Sequence, residues 1–157
     1  MPNLSTSPNP LWFLNTLVVV RVATADGADG LSVIEHRAPY GDSPPLHIHR
    51  TEDEVFHILD GQFGFMVEGQ ERRLGAGETL LTAKGVPHTY HVESASGGRW
   101  LTITAHGDFE RFVRAMARPA ERSELPEPAG PPSADAVKAL TAMAAKFGIE
   151  IVGPPLH

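Results

Sequence analysis

The chain has 157 residues, a length that favours one domain, and it contains no cysteine. That excludes Fe–S, cysteine–zinc and thiol-nucleophile chemistry. Lys and Arg number 13 against 19 Asp and Glu, a formal charge of -6, which argues against nucleic acid as a partner because that partner wants a basic face.

Residues 1–10 are rich in Pro, Ser and Asn and are expected to form a loose arm. The apolar run Leu11 to Val20 is interrupted by Asn15 and Thr16 and is too short to span a bilayer. No basic segment precedes it, as a signal peptide would require. A soluble cytoplasmic protein with no membrane partner is the expectation.

Thr16 to Ala23 is dense in β-branched residues and reads as a strand, and Leu31 to Ala38 reads as a second, after turn residues at 26–30. Pro39 to Pro45 is a Gly/Pro loop that delivers His47-Ile48-His49. Val55–Leu59 is the next strand, followed by Asp60-Gly61, a two-residue hairpin signal. Strands are then expected at 63–67, 71–74, 78–82, 88–93 and 99–106, with glycine turns between them. About nine short strands at regular spacing point to an antiparallel sandwich or barrel.

The pattern changes after His106. Asp108 can cap a helix whose apolar positions are Phe109, Phe112, Val113 and Met116, with Pro119 to stop it. Glu121 to Pro132 reads as a linker laid over the surface. Ser133 can cap a second helix, with Val137, Leu140, Ala144 and Phe147 on one face and Gly148 at its end. The tail Ile149–Val152 is apolar enough to dock on the barrel wall.

Chemistry concentrates in Gly41 to Glu54. On an extended chain, side chains at i and i+2 share a face, so His47 and His49 can address one point. Glu54, on the next strand, can add an oxygen, and His88, at the start of a distant strand, a third imidazole. Two or three imidazoles and a carboxylate suit a transition metal with positions left open. The plainer reading is that one His-x-His arises by chance among eight histidines, and that Glu52, Asp53 and Glu54 are solvated strand carboxylates.

The glycine spacing separates these readings. Gly41-x5-His47-x-His49-x4-Glu54-x6-Gly61 resembles the first signature motif of the cupin family, and Gly77-x5-Ala83-x-Gly85-x2-His88 resembles the second. Ala83 stands where the family usually has Pro, and Val92 where it often has Asn. Flanking segments, Leu11–Leu14 and Gly107–Glu110 among them, are similar to single-domain bacterial cupins described as quercetin-dioxygenase-like.

The resemblance implies an all-β fold, the cupin double-stranded β-helix or jelly-roll barrel. The barrel would span about 11–106, with two C-terminal helices outside it in an extension over 107–157. It also implies one divalent transition metal (Fe, Mn, Ni, Co, Cu or Zn) held by His47, His49, Glu54 and His88. Glu54 would in addition take a proton from the substrate hydroxyl.

Phe56 and Ile58 share parity with Glu54, and Tyr90 with His88, so these three are the substrate-lining candidates. Against that role stands simple packing of the barrel interior. His57 and His91 have the opposite parity, the facing of His36 and His106 is open, and His157 is expected to be inert.

The partner is expected to be a small molecule. The strand over Leu14–Ala23 would leave an edge on which a second copy could pair, giving a homodimer. Three functions remain: a dioxygenase acting on a hydroxyketone, flavonoid or polyketide-like substrate, a redox-neutral cyclase, isomerase or lyase, and a non-catalytic binder.

Overall fold

Alternation along the strands is what builds the molecule. In the computed structural model, which describes residues 8–156, Glu54, Phe56 and Ile58 are buried, while Val55, His57 and Leu59 between them are only partly so. That is the period-2 signature of a strand with one inward face. The same alternation runs along β3 (Ser32–Ala38) and β10 (Gly98–Thr104). Position 157 and most of the expected N-terminal arm lie outside the described residues.

The strands form two antiparallel sheets. In the first, β2 (Thr16–Val22), β3, β10, β5 (Glu54–Asp60) and β8 (Thr79–Thr82) are neighbours in that order. The short β1 (Leu11–Phe13) and the two-residue β11 (Arg118–Pro119) are added outside β2. The second sheet runs β12 (Ile149–Gly153), β4 (Leu46–His49), β9 (His88–Val92), β6 (Phe63–Val67) and β7 (Gln70–Leu74). This is the expected double-sheet jelly roll, with helices α1 (Asp108–Met116) and α2 (Ala134–Ala145) following the strands.

Several local expectations are corrected. Asp60-Gly61 does not close a hairpin, because β5 pairs with β8 and β10 while β6 pairs with β7 and β9. The turn instead carries the chain from one sheet to the other. The tight hairpin is at Glu68-Gly69, where both residues have positive φ and Val67 faces Gln70, as a type I′ turn requires. The outer edge of β2 is covered by β1 at residues 16–18, so the free edge over Leu14–Ala23 is shorter than expected.

The tail does more than dock. As β12 it pairs along β4, placing Ile149 opposite His49 and Ile151 opposite His47. Asp108 is the first residue of α1 and not its cap, since Gly107, with φ of 84°, holds the N-cap position. Ser133 does cap α2, its hydroxyl accepting from the Ala136 amide. On α2, Val137 stays exposed while Leu140 and Ala144 pack, as does Phe147 just beyond the helix end.

Two apolar cores result. One fills the barrel with Phe56, Ile58, Phe63, Phe65, Tyr90 and Trp100 among its members. The other joins Val18, Val20 and Ile34 to Phe109, Phe112 and Val113 of α1 and to Ala144 of α2. The helices are therefore not merely outside the barrel, since α1 completes a core with its strands.

His36 lies between the two cores, stacked on Trp100 at 4.8 Å and 6.0 Å from the Phe109 ring. Its Nε2 has no hydrogen-bond partner. Burial lowers its pKa from 6.5 to about 4, against a smaller upward pull from Glu54.

Two stability predictions follow from this packing. Gly97 has φ of 85°, and an added Cβ would strike the carbonyl oxygen of Ala38. Gly77 has φ of 86° but nothing within 4 Å. Gly77→Ala should cost about 1–2 kcal/mol from backbone conformation alone, and Gly97→Ala about 3 kcal/mol or more, measured by urea unfolding.

For His36, the folded chain takes its proton near pH 4 and the unfolded chain near 6.5. Its contribution is thus complete above about pH 6.5 and is lost as pH falls toward 4, by about 3 kcal/mol at most. His36→Phe should flatten the fall in melting temperature across that window.

Candidate metal centre

The site is assembled from both sheets. His47 and His49 project from β4, and His88 from β9 is the direct cross-strand partner of His47. Such pairs share a face. Glu54 comes from β5 in the opposite sheet, so the cluster bridges the sandwich. One donor atom from each of the four residues lies within 4.8 Å of the others. His49, Glu54 and His88 are buried, and His47 is partly exposed. All four residues proposed from the spacing are brought together.

The hydrogen bonds around the rings determine which nitrogens are free. His47 Nδ1 is 2.7 Å from the Pro45 carbonyl, and His88 Nδ1 is 3.0 Å from that of Val86. A carbonyl can only accept, so each Nδ1 carries a proton, and a ring with no second proton has Nε2 as its free nitrogen. His88 Nε2 is 3.0 Å from Glu54 Oε2. This sets acceptor against acceptor unless a cation or a second proton lies between them.

His49 Nε2 is equally close to the same oxygen, at 3.0 Å, while its Nδ1, unlike those of the other two rings, has no hydrogen-bond partner. Its ring is held by packing instead, 5.7 Å from Phe109.

The electrostatics follow from that crowding. Burial lowers the His47 pKa to about 3, helped by the neighbouring His88 and His49, so this ring stays neutral. Burial also opposes a charge on His49, but the Glu54 carboxylate and, less strongly, Glu52 raise it above its ordinary value. Burial pushes Glu54 up, yet the charges and close contacts of His49 and His88 hold it well below the usual carboxylate range. A dry carboxylate beside bare imidazole nitrogens costs several kcal/mol of lost solvation unless a cation is shared among them.

Phe56, Ile58 and Tyr90 all face inward and are packed in the barrel core. Phe56 reaches the His88 ring at 6.0 Å, edge-on. Burial raises the Tyr90 phenol well above its ordinary value, with the charges of Asp42 and Glu54 adding to it. Asp42, in the loop before β4, is itself raised by burial to about 6. Two surface hollows, of about 310 and 260 Å³, lie on Arg37, Asp60 and Arg99 and on Met66, Arg72 and His91, away from the cluster.

Of the other histidines, His57 meets Thr79 and His91 approaches Glu93, both outside the ligand set. His106 is exposed.

Glu52 is the residue that sequence reasoning misplaced. It is not solvated but 1% exposed, with its two oxygens accepting from the amides of His106 and Phe109 at 3.0 and 2.6 Å. Parity was the available signal, because Glu52 lies two residues before Glu54. Asp53 is exposed as expected and accepts from the Lys84 amide.

Comparison with known proteins agrees with this architecture. The "Cupin domain" family model matches residues 34–104. Quercetin 2,3-dioxygenase of Bacillus subtilis is 28% identical over 86 residues, 55% of this chain. That segment spans only 25% of the dioxygenase.

Among solved structures, an RmlC-like cupin from Shewanella frigidimarina superposes with a TM-score of 0.55 at 17% identity, covering 67% of this chain and 91% of that one. The polyketide cyclase RemF from Streptomyces resistomycificus gives 0.52 at 23%, covering 65% and 70%. KdgF from Halomonas sp. gives 0.52 at 16%, covering 58% and 78%. These likenesses speak to the fold alone. The motif spacing, the two-sheet barrel and the matched segment agree that residues 34–104 carry a cupin domain.

Proposed function

We propose that this chain is a metal-dependent cupin enzyme, a dioxygenase acting on a small hydroxyketone, flavonoid or polyketide-like substrate. The observation that carries the metal reading is the His47 and His88 pair. Backbone carbonyls hold their Nδ1 protons, His88 Nε2 lies 3.0 Å from the buried Glu54 carboxylate, and His47 has a donor atom in the same cluster. Three imidazole nitrogens and one carboxylate oxygen are donors that fit Fe, Mn, Co, Ni, Cu or Zn, and none of these metals is favoured over the rest. A metal bound there supplies Lewis-acid polarisation of a substrate oxygen and, if it is redox-active, a route to dioxygen.

The chain's own residues then have distinct tasks. Glu54 has a second carboxylate oxygen to accept a proton from a substrate hydroxyl while the first stays in the ligand set. His47, the partly exposed ligand, marks the side from which a substrate approaches. Ile151 stands beside it on the neighbouring strand. Phe56 and Tyr90 would form the floor under a substrate, and Ile58 would support them from below.

The dioxygenase reading draws on the similarity to the Bacillus subtilis enzyme. A redox-neutral cyclase, isomerase or lyase is the second reading, favoured by the likeness to a polyketide cyclase fold. A homodimer remains part of the proposal.

Oxygen consumption by the metal-loaded protein with a flavonol or other enolisable hydroxyketone is the direct test. Turnover coupled to dioxygen uptake supports the dioxygenase, whereas product formed under nitrogen selects the redox-neutral reading. His49→Ala should remove bound metal, as measured by elemental analysis, while leaving the β-sheet circular dichroism in place; equal metal content in variant and parent would count against the site.

The pH dependence has a definite sign. Because the His49 pKa is raised in the metal-free fold, a metal ion must displace a proton there. Metal affinity should therefore weaken as pH falls through the raised His49 pKa, with proton release on binding below it, seen by calorimetry in buffers of different ionisation enthalpy.

A further inference from the structure

Between His49 and Glu54 lie four residues, Arg50, Thr51, Glu52 and Asp53, and each is tied to a segment distant in sequence. The Arg50 amide donates to the Gly148 carbonyl at 2.8 Å, and the Thr51 hydroxyl to Asp108 at 2.6 Å. Glu52 accepts from the His106 and Phe109 amides at 3.0 and 2.6 Å, and Asp53 accepts from the Lys84 amide at 2.7 Å. Of these four, only Glu52 is buried. A buried carboxylate in an interior loop is costly unless it is satisfied. Here both of its oxygens are spent on backbone N–H groups at the start of α1.

Those two bonds place Phe109. Its amide is one of the donors, and its ring lies 5.7 Å from His49. His47 and His88 each have a backbone carbonyl on Nδ1 to orient the ring, whereas His49 Nδ1 has no partner. Ligand histidines are ordinarily aimed by a polar partner on the second nitrogen. Without one, the orientation of His49 depends on the apolar surface against it.

We propose that Glu52 and Phe109 are positioning residues for the metal ligand His49. In this arrangement α1 acts as a clamp, with Glu52 fastening the helix start to the ligand loop and Phe109 holding the His49 ring in its ligating rotamer. Metal binding and docking of α1 are then coupled, each favouring the other. The inference rests on the proposal that the four-residue cluster holds a metal.

The test uses the full chain and Co(II), whose visible absorption reports ligand geometry. Glu52→Gln keeps the size of the side chain but turns an amide NH2 toward one of the two backbone donors. Phe109→Leu keeps an apolar side chain in the core and serves as the second variant should Glu52→Gln fail to fold. Gly77→Ala, whose amide donates to the Ile58 carbonyl at the far end of β5, controls for general loss of stability.

Weaker Co(II) affinity, by about 10–100-fold, with altered visible bands in Glu52→Gln and Phe109→Leu but not in Gly77→Ala, is the expected result. Affinity and bands like the parent's in both variants would overturn the inference and leave the metal site standing. An equal loss in all three variants would also overturn it, as a stability effect. Absence of Co(II) binding by the parent itself would instead overturn the metal reading, and this inference with it.

Discussion

The structure turns on one contact, a buried Glu54 carboxylate oxygen with the Nε2 atoms of His49 and His88 each 3.0 Å away. Two of the three rings are held through Nδ1 by backbone carbonyls only two residues upstream. The local chain around each ligand, Pro45 before His47 and Val86 before His88, thereby determines the chemistry at a point where two sheets meet. Acceptors converging in a dry interior are unfavourable by themselves. A divalent cation turns the same geometry into a favourable one, because four donors then share one positive centre.

The apolar packing accounts for why His49, Glu54 and His88 are buried. One core fills the barrel on the Phe56 side, and the other, built by α1, α2 and β12, closes on the Phe109 side. His88 touches the first through Phe56, and His49 touches the second through Phe109. His36 occupies the same boundary with an unpartnered ring nitrogen. The C-terminal segment is therefore not a decoration on a finished barrel. It supplies a strand beside the ligand strand, the ring against His49 and the amides that satisfy Glu52.

Much of this was legible in the chain. Strand parity marked the inward residues of β5 and β9, and the histidine and glycine spacing singled out four residues that the fold brings together. Three features were not legible, each for a stated reason. Asp60-Gly61 has the local chemistry of a hairpin turn, but turn chemistry does not say which sheet the next strand joins. Glu52 resembles any acidic residue of a polar loop, and its burial depends on two amides more than fifty positions away. The facing of His36 could not be assigned until Trp100 and Phe109 were seen on either side of its ring.

By itself the sequence determined what is local or periodic. That covers which residues share a strand face, where glycine permits a turn, and that His47, His49, Glu54 and His88 carry spacing suited to a metal. Only the tertiary structure decided that Glu54 approaches from the opposite sheet, that β12 lies against the ligand strand, and that Glu52 and Phe109 fasten the helix to the site. The physical reason is that strand parity is set by backbone geometry within a few residues. Burial of a charge, by contrast, is set by whichever distant donors the fold brings to it.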